Sequence, residues 1–292
     1  MSGLLVVNRA TMQFGGLKAL SDYSIEVQRG DLQGLIGPNG AGKTTAFNVM
    51  TGVYAPTAGE IFVDGIAANG RLPHQVNRLG LARTFQNIRL FKDLTALDNI
   101  KVACLADDRA PSSMFSRARI DKLRKQGRMF AAHALDAWGN YLDWWRAWLL
   151  TPGFLRDEQL ITERAEHLLD VMGLLHRKDE LARNLPYGEQ RRLEIARALG
   201  TRPKVLLLDE PAAGMNTREK AELMSLIRRL RDEFALGILL IEHDMKLVMG
   251  ICDKITVLDH GETIAVGTPE EVKKNSKVIE AYLGVESHEL KT

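Results

Sequence analysis

Cysteine is scarce here: Cys104 and Cys252 are the only two in 292 residues. Their separation fits neither paired metal spacing nor a disulfide framework. No leader-like apolar segment precedes Val6, so a reducing compartment is the simpler expectation and both thiols are expected in the core. Long apolar runs are also lacking. Arg, Asp or Glu interrupts every candidate before the roughly 20 residues a membrane span needs, so any work at a membrane requires another protein to cross it. Charge of one sign is missing as well: 39 Lys plus Arg stand against 37 Asp plus Glu, and a net charge of +2 offers nucleic acid no bulk attraction. No internal repeat is visible.

Short β-branched runs are present at Ile25 to Val27, Leu32 to Ile36, Val205 to Leu208, Ile238 to Ile241 and Ile255 to Leu258. Several are apolar enough to be buried on both faces, which points to an α/β fold. Between about Leu94 and Arg183 the composition turns to Ala, Leu, Arg, Asp and Glu at helical spacing, with breaks at Pro111 and at the Thr151, Pro152, Gly153 turn. This reads as an inserted helical subdomain. Inside it, Trp138 to Leu150 holds all four tryptophans, with Trp138, Leu142, Trp145 and Leu149 at helical spacing. That stripe fits a helix packed on the subdomain, or one docked on a membrane partner or at lipid headgroups. A last helix is predicted from after Thr268 to Gly284.

Gly37, Pro38, Asn39, Gly40, Ala41, Gly42, Lys43 and Thr44, followed by Thr45, fit the phosphate-loop pattern directly after an apolar strand. Glycines are needed because backbone N–H groups must approach phosphate oxygens closely, and the N-terminus of the following helix adds a favourable field for an anion. Lys43 would reach the β and γ phosphates, and Thr44 would offer its hydroxyl to Mg²⁺. Val205 to Leu208 lead into Asp209 and Glu210, two carboxylates at the carboxyl end of a buried strand, where ligands collect in open α/β sheets. Asp209 would hold Mg²⁺ and Glu210 would polarise the water that attacks the γ phosphate. ATP and Mg²⁺ are therefore the expected cofactors.

Further motifs follow in a fixed order, and with them the chain resembles the ATP-binding subunits of ABC transporters. Leu185, Pro186, Tyr187, Gly188, Glu189, Gln190 and the helical stretch to Leu199 look like the ABC signature. Gln86 sits at the family's Q loop, where it would join Thr44 and Asp209 around Mg²⁺, and His243 sits at its switch histidine. Phe14 occupies the place of the adenine-stacking aromatic, and Gly214, Met215, Asn216 look like the D loop, with Asn where many relatives have Asp. Arg83 to Ile100, Tyr187 to Leu199, Glu210 to Asn216 and Ile241 to Cys252 are similar to LivG-type ATPases of branched-chain amino acid importers.

The resemblance implies a P-loop NTPase core of ABC type at 1–93 and 190–268, a helical subdomain at about 94–189, and a C-terminal helix and tail at 269–292. It also implies a second ATPase subunit, a nonidentical paralogue or a second copy, with ATP sandwiched between one chain's phosphate loop and the other's signature. Two membrane permeases and, indirectly, a periplasmic binding protein complete the assembly, which holds the chain peripherally on the cytoplasmic side of the inner membrane. One departure stands out. Pro186 replaces the usual signature Ser and brings neither hydroxyl nor N–H, so the site it faces is expected to be impaired. Other readings are an ABC ATPase for other amino acids, urea or amides, a soluble phosphate-loop enzyme, or an ATP-gated scaffold.

Overall fold

Runs such as Leu32–Ile36, Val205–Asp209 and Gly237–Ile241 are buried at every position, the pattern of parallel strands covered on both faces. The computed structural model describes residues 3–106 and 152–289; the Trp138 to Leu150 stripe and the break at Pro111 lie outside the described residues. By its contacts the chain divides into two compact units, residues 1–89 with 203–292, and residues 90–202.

The first unit begins with β1 (Leu5–Phe14), β2 (Leu17–Val27), β3 (Leu32–Ile36), α1 (Lys43–Met50), β4 (Ala58–Val63), β5 (Ile66–Ala67), α2 (Pro73–Leu79) and β6 (Leu81–Arg83). The second contains α3 (Ala96–Leu105), α4 (Pro152–Val171) and α5 (Tyr187–Gly200). The chain then returns to the first for β7 (Val205–Asp209), α6 (Thr217–Glu233), β8 (Gly237–Ile241), α7 (Met245–Ile251), β9 (Lys254–Asp259), β10 (Glu262–Gly267), α8 (Pro269–Lys274) and α9 (Ser276–Glu289).

Two sheets form in the first unit. One is antiparallel, in the order β2-β1-β4-β5, and the other runs β10-β9-β3-β8-β7-β6. In the larger sheet β9, β3, β8, β7 and β6 are parallel and β10 closes one edge antiparallel. Side chains from both sheets and α1, among them Leu5, Tyr23, Leu35, Phe47, Ile61 and Leu207, form one buried cluster. The strand order matters for function. It sets the carboxyl ends of β3, β7 and β8 side by side, with Asp209 paired to Ile241 and Leu35 to Ile241.

In the second unit the fully buried Asn99 acts as a tie. Its side chain accepts from Phe91 N–H at 2.9 Å and donates to the Phe91 carbonyl at 3.0 Å and the Thr95 carbonyl at 2.9 Å. An ion pair, Arg191 to Glu194 at 2.8 Å, is buried along α5. Gly200 lets α5 approach α3, because a Cβ there would stand 2.8 Å from the Ala103 Cβ.

Two sequence expectations change. The last helix is broken at Asn275, where α8 ends, and α9 runs past Gly284 to Glu289. The predicted start holds, because Thr268 and Glu271 form a reciprocal capping box. Pro152 and Gly153, expected in a turn, lie within α4 as described, Pro152–Val171. The helix α5 belongs whole to the second unit.

Candidate functional site

The loop from β3 to α1 turns on three glycines with positive φ: Gly37 at 152°, Gly40 at 80° and Gly42 at 97°. A Cβ at Gly37 would lie 2.0 Å from the Leu258 carbonyl oxygen, and one at Gly42 2.6 Å from that of Ala19, so both positions exclude other residues on space as well as on backbone conformation. No side chain caps α1, and its first N–H groups are left for a ligand. The loop borders a cleft of about 350 Å³ that Asn39, Lys43, Thr44, Thr45, Glu210 and His260 help to line.

Lys43 Nζ donates to the Gly37 carbonyl at 2.6 Å and the Pro38 carbonyl at 2.8 Å. Burial pulls its pKa below the ordinary lysine value, and the charges of Glu210 and Asp209 oppose that shift.

Asp209 closes β7 and is 5% exposed. Its Oδ2 accepts from Arg83 at 2.6 Å, and Arg83 also donates to Asn48 Oδ1 at 2.7 Å. The guanidinium lies over Phe47 and Phe85. Glu210, the next residue, has φ 46°, a left-handed conformation uncommon for a side-chain-bearing residue and concentrated at functional sites. Gln86 Nε2 donates to Glu210 Oε2 at 2.9 Å, and His243 Nδ1 lies 3.8 Å from the same oxygen. Behind them Glu242, 1% exposed, accepts from Ala212 N–H at 2.8 Å. Burial raises its pKa, against the lowering effect of Ala212 N–H and His243.

Lys43, Thr44, Thr45, Glu210, Gln86, Asp209 and His243 are thus brought to neighbouring strand ends of one unit. Phe14 ends β1, half-exposed, with its ring edge-on to Tyr54 at 5.2 Å, and it is not among the residues lining the cleft. Pro186 stands at the N-cap of α5 in the second unit without a side-chain cap bond, followed by exposed Tyr187 and by Gly188. There Glu189 Oε2 lies 3.5 Å from Arg177 Nε. Asn216 caps α6, accepting from Glu219 N–H at 3.0 Å while its own N–H donates to Glu219 at 2.9 Å; Asn performs this cap as well as Asp would.

The ABC transporter profile matches residues 20–213. The chain belongs to the ABC transporter family. Membership makes it an ABC-type ATPase that binds nucleotide. A second profile, described as branched-chain amino acid ATP-binding cassette transporter, matches residues 262–288. The high-affinity branched-chain amino acid transport ATP-binding protein BraF of Pseudomonas aeruginosa is 43% identical over 281 residues, covering 96% of this chain and 98% of its own. LivG of Escherichia coli, described in the same words, matches to the same extent. Among solved structures, an ABC transporter's ATP-binding cassette in its ADP conformation is 27% identical with a TM-score of 0.74, covering 97% of this chain and 100% of its own. A nucleotide-free cassette is 26% identical with a TM-score of 0.73, covering 96% and 98%.

Sequence reasoning passes over three participants in this ABC site. Arg83, the buried partner of Asp209, is signalled only by a cation inside the apolar strand β6. Glu242 reads from sequence as a neighbour of His243 and not as a buried anchor for Ala212. His260, on the tight β9–β10 turn with φ 45°, is signalled by the Asp-His-Gly sequence that follows an apolar strand.

Proposed function

We propose that this chain is the ATP-hydrolysing subunit of an importer for branched-chain amino acids, coupling ATP binding and hydrolysis to movement in a membrane permease. The supporting observation is the convergence of Lys43, Asp209, Glu210, Gln86 and His243 on adjacent strand ends in a chain 43% identical, over nearly its whole length, to ATP-binding proteins of branched-chain amino acid transport. Among the described residues no helix is long and apolar enough to cross a membrane. The cargo path is assigned to a partner, with the chain working from the cytoplasmic face of the inner membrane.

The donor set suits Mg²⁺. The Thr44 hydroxyl, the Gln86 amide and the Asp209 carboxylate are hard oxygen donors, and Mg²⁺ takes one or two protein oxygens alongside substrate phosphates. When bound, the ion would neutralise charge on the β and γ phosphates. The chain's own residues do the rest. The Gly37 to Thr45 backbone and the start of α1 cradle the phosphates, with Lys43 supplying the mobile charge. Glu210, steadied by Gln86 at one oxygen, takes the proton of the attacking water. His243, 3.8 Å from that oxygen, stands ready to bond the transferred phosphate. Phe14 offers a ring to the base, and Pro186 to Glu189 at the head of α5 face a partner subunit's nucleotide.

Partners are a second ATPase subunit, a paralogue or a second copy, two permeases, and a periplasmic binding protein reached through them. The test is reconstitution with candidate permeases and measurement of phosphate release with and without leucine-loaded binding protein. Stimulation by the loaded binding protein is expected, and Glu210→Gln should cut turnover at least about 100-fold while ATP still binds. Strong hydrolysis with no permease association would instead indicate a soluble ATPase.

A further inference from the structure

The Asp209 carboxylate, one of the proposed Mg²⁺ donors, has a single oxygen left to give. Its Oδ2 is taken by Arg83 Nη2 at 2.6 Å, with both side chains 7% exposed, and among the described residues no hydrogen bond reaches Oδ1. Arg83 is held by three further contacts. Its Nη1 donates to Asn48 Oδ1 at 2.7 Å, and its guanidinium lies 5.4 Å from the Phe47 ring centre and 5.1 Å from that of Phe85. Asp209 is fixed as well, at the close of β7, where its N–H donates to Thr84 Oγ1 at 3.4 Å and its backbone pairs with Ile241. Neither partner is free to release Oδ2. Arg83 would have to leave Asn48 and two rings, and either departure would strand a buried charge.

We propose that Arg83 is a positioning residue that sets the cation preference of the site: by holding Asp209 Oδ2 it keeps the carboxylate a one-oxygen donor, which suits Mg²⁺ and disfavours Ca²⁺. This inference rests on the reading of the loop and the carboxylates as a Mg²⁺-nucleotide site. The physical reason is the difference in size and coordination between the two ions. Mg²⁺ demands a near-octahedral shell at about 2.1 Å and keeps several of its waters, so one carboxylate oxygen, direct or through a water, satisfies it. Ca²⁺ takes roughly six to eight oxygens at about 2.4 Å and gains from a carboxylate that closes on it with both. The guanidinium charge also weakens the attraction felt by a cation, but that effect falls on two ions of equal charge alike. What separates them is the number of oxygens Asp209 can offer.

The test uses the full chain carrying Glu210→Gln, which keeps bound ATP intact. Mn²⁺ bound in the presence of ATP is read by electron paramagnetic resonance while Mg²⁺ or Ca²⁺ displaces it. The ratio of the two displacing affinities is compared between this chain, the same chain with Arg83→Met, and ATP alone. The chain with Arg83 is expected to favour Mg²⁺ at least about tenfold more than ATP alone does, and Arg83→Met to remove about tenfold of that preference, the order of effect expected when the partner of a metal-ligating group is lost. A merely structural role would lower the urea midpoint and leave the ratio unchanged, and an unchanged or higher ratio in Arg83→Met overturns the proposal. If Arg83→Met does not fold, the chain with Arg83 decides the matter, since a ratio equal to that of ATP alone overturns the proposal by itself. If that chain with ATP retains no more Mn²⁺ than ATP alone, the metal-nucleotide reading falls and takes this inference with it.

Discussion

Arg83 shows how much of the site is held by residues that touch no substrate. Its guanidinium and the Asp209 carboxylate are each 7% exposed and 2.6 Å apart, with Asn48 taking another N–H and two aromatic rings covering the plane. Removing one member of a buried pair strands the other. Arg83→Met should therefore lose about 3–5 kcal/mol of stability, measured as a lower urea midpoint, whereas a change confined to the exposed His260 should leave that midpoint alone. Residues whose chemistry requires a fixed spacing are legible in the sequence: the glycines of the loop, Lys43, Asp209 and Glu210. Arg83 and Glu242 are not, because their roles are set by partners 126 and 30 positions away, and nothing in local spacing reports a long-range pair.

Among the elements, the parallel strands β7 and β8 are readable from composition, since burial on both faces leaves unbroken Val, Ile and Leu at Val205 to Leu208 and Ile238 to Ile241. The antiparallel strand β2 alternates buried with exposed positions from Tyr23 to Val27, whereas β1, interrupted by bulges, keeps no such alternation and β10 has no fully buried position. The break between α8 and α9 is hidden because Asn275 sits in an otherwise helical stretch. Helix ends near the site are tied by charge. Asp244 caps α7 through Leu247 N–H at 3.3 Å and pairs with Lys220 of α6 at 2.8 Å. The Lys220 hydrogen bond lowers the Asp244 pKa, partly opposed by burial, and the same bond raises that of Lys220. A depressed carboxyl contributes stability above its unfolded value and loses it as pH falls through the folded one; a raised ammonium contributes below its unfolded value and loses it as pH rises through the folded one. Lys220→Met should therefore be less stable than the parent near neutrality, with the gap closing at acid pH. Urea unfolding across that range checks it.

For the whole molecule, the inequality between Pro186 and an ordinary signature has a visible outcome. In a two-chain assembly whose other subunit carries an intact signature, vanadate should trap nucleotide at one site rather than two, and Pro186→Ser should bring trapping at the second site toward parity. Equal labelling of both sites in the parent assembly would sink the idea. The helix α5 is rich in the same Leu, Ala, Arg and Glu as the helical stretch that begins near Leu94, so composition alone marks no edge before it. Lys43 carries a last consequence. Its ammonium already spends two of its three N–H groups on carbonyls of its own loop, at 2.6 and 2.8 Å, which leaves one donor for a phosphate oxygen. The cation is thereby kept on the loop before a nucleotide arrives, and its side chain gives up little rotational freedom when one does.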